Sequence, residues 1–137
     1  MKAKLRKIVV DSREFYFRLL ENPVKEERIS DYIWYTTVRI FKRDFKNTPL
    51  EIKFESLGLY PGGNSLTSDL KVSKNGKQTE LNLNHPAMIR QLIELGIKQG
   101  WDWNEKKMLI SNGVEILKQM GFKSKHFELP DDLKSNH

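Results

Sequence analysis

Leu70-Lys71-Val72-Ser73-Lys74-Asn75-Gly76-Lys77-Gln78-Thr79-Glu80-Leu81 is the stretch on which the fold turns. Asn and Gly both tolerate the positive φ that a type I′ turn demands at its central positions, so Asn75-Gly76 predicts a two-residue β-hairpin. That loop length sets the register. Lys74 faces Lys77, Val72 faces Thr79, Lys71 faces Glu80 and Leu70 faces Leu81. An apolar pair then falls on one face and an opposite-charge pair on the other, an agreement that supports the hairpin.

Downstream the period changes from two to that of a helix. Pro86 suits a first helical turn, with Asn84 or His85 as the cap. Ile89, Leu92, Ile93, Gly96 and Ile97 form one apolar stripe, in which Gly96 allows close approach to a sheet. Arg90, Glu94 and Lys98 line the opposite side at four-residue spacing, and Gly100 suits the left-handed position that ends the helix. Residues 108–110 read as one more strand. Residues 114–120, stopped by Gly121, read as a short helix in preference to a second hairpin turned on Asn112-Gly113.

Upstream the pattern is strand-like. An apolar run over residues 5–10 and a polar turn over residues 11–14 lead into Phe15, Phe17 and Leu19, which alternate with Tyr16, Arg18 and Leu20. Residues 22–28 read as a charged loop. A third strand covers residues 32–41, with Trp34, Val38 and Ile40 on one face and Tyr35, Arg39 and Phe41 on the other. In the fourth, Leu50, Ile52 and Phe54 alternate with Glu51, Lys53 and Glu55, one face to the core and one to water. The expected fold is α+β: an antiparallel sheet of about five or six strands, one main helix packed on it and a short C-terminal helix. Residues 1–128 are expected to form a single domain, with residues 129–137 as a flexible tail.

The chain has 137 residues, 38% hydrophobic and 10% aromatic, enough for one sizeable core and outside the disordered class. It contains no Cys, which excludes a disulfide framework, thiolate catalysis and Cys-based zinc sites. No apolar stretch fits a signal peptide or approaches the ~18 residues of a membrane span, so a cytoplasmic location without membrane partners is expected. Residues 1–70 hold 13 basic and 10 acidic side chains and residues 71–137 hold 11 and 8, so the net charge of +6 is spread along the chain. A basic arm would be lopsided; this distribution reads as a mildly basic solvated surface.

Two segments carry a resemblance. Residues 8–18, Ile-Val-Val-Asp-Ser-Arg-Glu-Phe-Tyr-Phe-Arg, resemble the opening hairpin of a type of small uncharacterised bacterial protein. Pro86-Ala87-Met88-Ile89-Arg90-Gln91-Leu92-Ile93, continuing to Gly100-Trp101-Asp102, is similar to the Pro-led helix ending in Gly-Trp that closes such proteins. Ser12 stands where they carry Gly, and Trp103 where they often carry Pro. The resemblance implies a shared fold at most. It brings no activity and no catalytic residue.

The chemistry-bearing residues form no recognised constellation. His85, His126 and His137 belong to no HExxH pair and have no Cys ligands beside them, so no metal or cofactor is expected. Tyr60-Pro61-Gly62-Gly63-Asn64-Ser65 lacks the Lys-Ser/Thr ending of a P-loop and reads as a turn. No Gly-x-Ser-x-Gly elbow occurs. Trp101-Asp102-Trp103 follows the helix stop at once, and on general grounds of aromatic burial Trp101 is expected under the helix end and Trp103 half-covering the surface. The sharper expectation is a partner surface made of Trp101, Trp103 and Tyr60, with Tyr35 as an alternative ring. Lys42-Arg43-Asp44-Phe45-Lys46 combines cations with an aromatic, which makes Lys42, Arg43 and Lys46 candidate nucleic-acid contacts, although Asp44 breaks the run.

The leading functional expectation is a non-enzymatic protein-interaction or accessory domain, its partner another protein or a second copy. The alternatives are a weak, sequence-tolerant nucleic-acid binder and an enzyme whose site is drawn from scattered residues.

Overall fold

A computed structural model describes residues 4–29, 31–59 and 63–129. The fold is α+β. Strands β1 (Arg6–Val10), β2 (Arg13–Glu26), β3 (Asp31–Lys42), β4 (Leu50–Leu57), β5 (Leu70–Lys74), β6 (Lys77–Leu81), β7 (Met108–Ile110) and β8 (Phe122–Lys123) are accompanied by helices α1 (Pro86–Lys98) and α2 (Gly113–Gln119). One sheet has the order β1-β2-β3-β4-β7 and a second has the order β6-β5-β8.

The 70–81 hairpin has the register read from its turn: Leu70 faces Leu81, Lys71 faces Glu80, Val72 faces Thr79 and Lys74 faces Lys77. Asn75 and Gly76 take φ of 51° and 84°. The hairpin does not extend the larger sheet, however. It forms the smaller one, where β8 pairs with the other edge of β5 through Ser73–Lys123 and Lys74–Phe122. The larger sheet is mixed, not wholly antiparallel, because β7 joins β4 in parallel. A three-residue strand far downstream carries too little pattern to reveal its direction.

The strands run longer than the alternation suggested. β2 continues through residues 22–26, expected as loop, although Pro23 lies within it. Among the described residues β1 pairs with β2 only as far as Phe17, and a Pro is tolerated in a strand where its missing N–H is not needed by a neighbouring strand. Beyond β2, Arg28 donates from Nε and Nη2 to the two carboxylate oxygens of Glu26 at 2.7 and 3.1 Å. Those bonds hold the Glu26 carboxyl below its usual value.

By mutual contact the chain divides into two compact units, each drawn from three segments. The first comprises Met1–Leu20, Thr37–Ile52 and Leu83–Ile110. Its core includes Phe15, Phe17, Ile40, Leu50, Ile52, Ile89, Leu92 and Ile93, all fully buried. Helix α1 starts on His85, whose Nδ1 accepts from the Ala87 N–H, and Gly100 follows its end at φ 106°. Gly96 meets β4 so closely that a Cβ there would lie 2.5 Å from Leu50 Cδ2. Ile97, expected in the buried stripe, is 38% exposed. The second unit comprises Glu21–Thr36, Lys53–Asn82 and Ser111–His137. Phe54, Leu66, Leu81, Leu117, Phe122 and Phe127 are buried there. Residues 114–119 are helical, as read, and Gly121 has φ 98° with no room for a Cβ beside Asn75. Leu129, placed by the sequence at the start of the tail, packs against Ile33; residues 130–137 lie outside the described residues.

At the β1–β2 hairpin, Asp11 and Ser12 take φ of 52° and 66°, the type I′ combination. Ser is a poor resident of the left-handed region, at a cost of about 1–2 kcal/mol, whereas Gly enters it freely but loses about 0.5–1 kcal/mol in chain entropy. Ser12→Gly is therefore expected to raise the thermal midpoint by about 2–4 °C in a calorimetric scan. A lower midpoint would contradict strain at Ser12.

Candidate binding site

Within the first unit, three segments bring cations and aromatic rings together at the surface. The first is the turn after α1. Gly100 reverses the chain, and Trp101 is buried, 3% exposed, with its ring centroid 6.0 Å from that of Phe15. The next turn is closed by a bridge between Asp102 and Lys106, while the Asp102 carboxylate accepts the Asn104 N–H at 3.3 Å. This leaves Trp103 half-buried at the rim. One residue fixes both tryptophans: the Trp101 indole N–H donates to the Thr48 carbonyl at 3.0 Å, and Thr48 Oγ1 donates to the Trp103 carbonyl at 2.6 Å.

The second segment leaves β3. The Phe45 N–H donates to the Lys42 carbonyl at 2.9 Å, closing a turn in which Asp44 has φ 71°. Positive φ at the third turn position is the type II pattern, and Asp tolerates it better than most residues. The turn carries Phe45 to within 6.0 Å of Trp103, centroid to centroid, at an interplanar angle of 61°. Lys42 Nζ lies 5.2 Å from the Phe45 centroid and 4.9 Å from that of Trp103. The third segment is the start of β2, where the Arg13 guanidinium lies 5.4 Å from the Trp103 centroid. All three separations fall within cation–π range.

The candidate residues thus divide. Lys42 and Trp103, drawn from two separate expectations, meet in one cluster. Arg43 stands beside it, 61% exposed, and donates to Glu14 Oε2 at 3.2 Å. Lys46 is exposed on the same connection, and its carbonyl accepts from Arg39 at 3.4 Å. Trp101 supports the surface from beneath. Tyr60 lies outside the described residues, and Tyr35 packs in the second unit against the Ile33–Leu129 cluster. Phe45 is the ring that neighbours Trp103. Arg13 went unrecognised because a cation after a hairpin turn carries no signal; only the type I′ geometry brings it to a tryptophan ninety residues away.

The second unit holds a cleft of about 430 Å³ lined by Lys53, Gly113, Glu115, Lys118, Phe127 and Leu129, among others. Lys118 pairs there with Glu128 at 2.7 Å. The same unit buries Thr36, Ser56, Asn64 and Ser65. Asn64 Nδ2 donates to Glu21 and to Thr36 Oγ1, and Ser65 Oγ donates to the Leu57 carbonyl, so these groups tie the chain after the Gly-rich turn to the strands. His85 caps α1 and His137 lies outside the described residues. His126 Nδ1 is buried without a hydrogen-bond partner among the described residues. Among those residues, no group of three or more His, Cys, Asp or Glu converges on a metal position, and no helix is long and apolar enough to cross a membrane.

Comparisons with protein-family models, with curated proteins and with solved structures return no match.

If Thr48 anchors the Trp103 turn, Thr48→Val is expected to lower stability by about 1 kcal/mol, the scale of one lost hydrogen bond with its acceptor left unpaired. It should also broaden the Trp103 indole resonance, and Thr48→Ser should restore both. Unchanged stability and linewidth in Thr48→Val would show that the turn holds itself.

Proposed function

We propose that this chain is a non-enzymatic binding domain whose working surface is the Arg13–Lys42–Phe45–Trp103 cluster, and that its partner is anionic. The observation that supports this reading is the convergence of two cations and two rings, from three segments distant in sequence, on one partly exposed site. A cation above a ring face keeps donors free for an incoming anion, since an ammonium has three and a guanidinium five. The rings supply partly exposed apolar area and few rotatable bonds, which limits the entropy lost on binding. Arg43 and Lys46 extend the positive surface, in keeping with the net charge of +6. Glu14 is already engaged by Arg43 at 3.2 Å and by Lys7 at 4.0 Å, so two cations partly neutralise its charge.

Inorganic polyphosphate is the simplest probe, because it offers anions and nothing else. Calorimetric titration at low salt is expected to show binding that weakens about two- to fivefold for each of Arg13→Ala and Lys42→Ala, the scale of an exposed charge contact. Asp44→Asn keeps a residue that accepts positive φ while removing a negative charge beside Lys42, and should strengthen binding about twofold. Lys77→Ala, on the hairpin of the second unit, should leave affinity unchanged. Absence of polyphosphate binding at low ionic strength would overturn the proposal, as would equal losses from Lys77→Ala and Lys42→Ala.

A further inference from the structure

We infer that the anionic partner is a single-stranded nucleic acid, with an unpaired base taking the place of a cation on the Trp103 ring; the inference rests on the binding-domain reading above. Charge alone does not account for the cluster. A polyphosphate or an acidic protein segment would be served by Arg13, Lys42, Arg43 and Lys46 without any ring. Here both cations instead lie over rings, at 4.9–5.4 Å from the centroids. A cation displaced from the ring by a base remains at the edge of the platform, where a backbone phosphate of the same strand can pair with it.

The ring pair points the same way. Phe45 and Trp103 meet at 61°, edge towards face, so the contact covers one face of one ring only and the two rings do not stack face to face. Two such surfaces suit successive bases that are splayed apart, as they are in a flexible single strand. A duplex keeps its base faces inside its own stack and offers only edges and phosphates. The rings also stand on two turns, residues 42–45 and 102–106, whose hydrogen bonds fix their backbones. Thr48 holds the Trp103 carbonyl from beneath, so the indole is presented by an ordered turn. A platform of rings flanked by cations reads base faces and backbone charge together, and it is tolerant of sequence because every base has a face to stack.

The test uses the full chain and four probes of equal phosphate count: an oligothymidylate, an oligouridylate, a hairpin duplex and linear polyphosphate. Trp101 is buried, so quenching of intrinsic fluorescence that disappears in Trp103→Phe reports on Trp103. At least one single-stranded probe is expected to quench and to bind about tenfold or more tightly than the duplex, with the tighter of the two naming the sugar. Trp103→Ala should cost that probe about tenfold, in line with the loss of one stacked base, and should cost polyphosphate, which has no base to stack, clearly less. Should Trp103→Ala unfold, Trp103→Phe carries the comparison, with a smaller loss confined to the single strand. With about three phosphate contacts, affinity for the single strand should fall about ten- to twentyfold between about 50 and 200 mM salt. Equal binding of duplex and single strand, or a Trp103 effect that is absent or the same for all probes, would overturn this inference and leave the anionic-partner reading standing. Failure of every probe, polyphosphate included, would remove both.

Discussion

The contact between Gly96 and Leu50 fixes where the first unit can place its surface. Leu50 is fully buried, and its Cδ2 occupies the space that a side chain at position 96 would need. The close approach seats α1 against the start of β4, and the helix ends at Lys98. From that end, Gly100 turns the chain at φ 106°, Trp101 drops against Phe15, and Trp103 emerges two residues later. Leu50 also begins β4, two residues after Thr48, which bonds to both tryptophan segments. Burial on one side of this short stretch and hydrogen bonding on the other act on the same turn. A glycine within a helix costs about 1 kcal/mol relative to alanine, and here packing gives that cost a local reason.

Where one interaction dominates locally, residues alone were enough. Asn75-Gly76 meets the turn's demand for two positive φ values, and every pair in the hairpin followed from the loop length. Pro86, the apolar stripe and Gly100 likewise marked α1 to within a residue or two. The reading failed where the deciding partner is distant. The pairing of β7 with β4 depends on edge bonds to a strand more than fifty residues earlier. β8 has only two residues, and it exists because β5 offers an open edge to the segment after Gly121. The extension of β2 through Pro23 likewise runs against the local signal, since a Pro within a charged run reads as loop.

The cation–aromatic cluster was legible as fragments. Burial arguments divided Trp101, under the helix end, from Trp103 at the surface, but strand alternation does not explain the division: residues two apart share a face in an extended chain, and it is the turn over residues 102–106 that separates the two rings. The run at residues 42–46 stood out by mixing cations with an aromatic ring. Neither fragment implied the other: residues 45 and 103 meet only because α1 returns the chain beside the β3–β4 connection. Tyr35 illustrates the converse. It is aromatic and strand-borne, as plausible by type as Phe45, yet it packs in the second unit beside Ile33 and Leu129. Residue type nominates a ring, and only topology decides whether that ring joins a cluster.

Asp44 sharpens the electrostatics of the cluster. In the sequence its charge argued against a basic binding run, as an acid among Lys42, Arg43 and Lys46. In the fold it occupies the turn position with φ 71°, where few residues other than Gly, Asn and Asp are comfortable. The turn it permits swings Phe45 back over Lys42 and against Trp103, at 5.2 and 6.0 Å respectively. An unbroken basic run would carry more charge but would lack this conformational preference. The acid therefore has a backbone reason to be there, and its cost in attraction for an anion is small because exposed charges are strongly screened. What looked like an interruption of the charge pattern is the residue that lets the rings and cations meet.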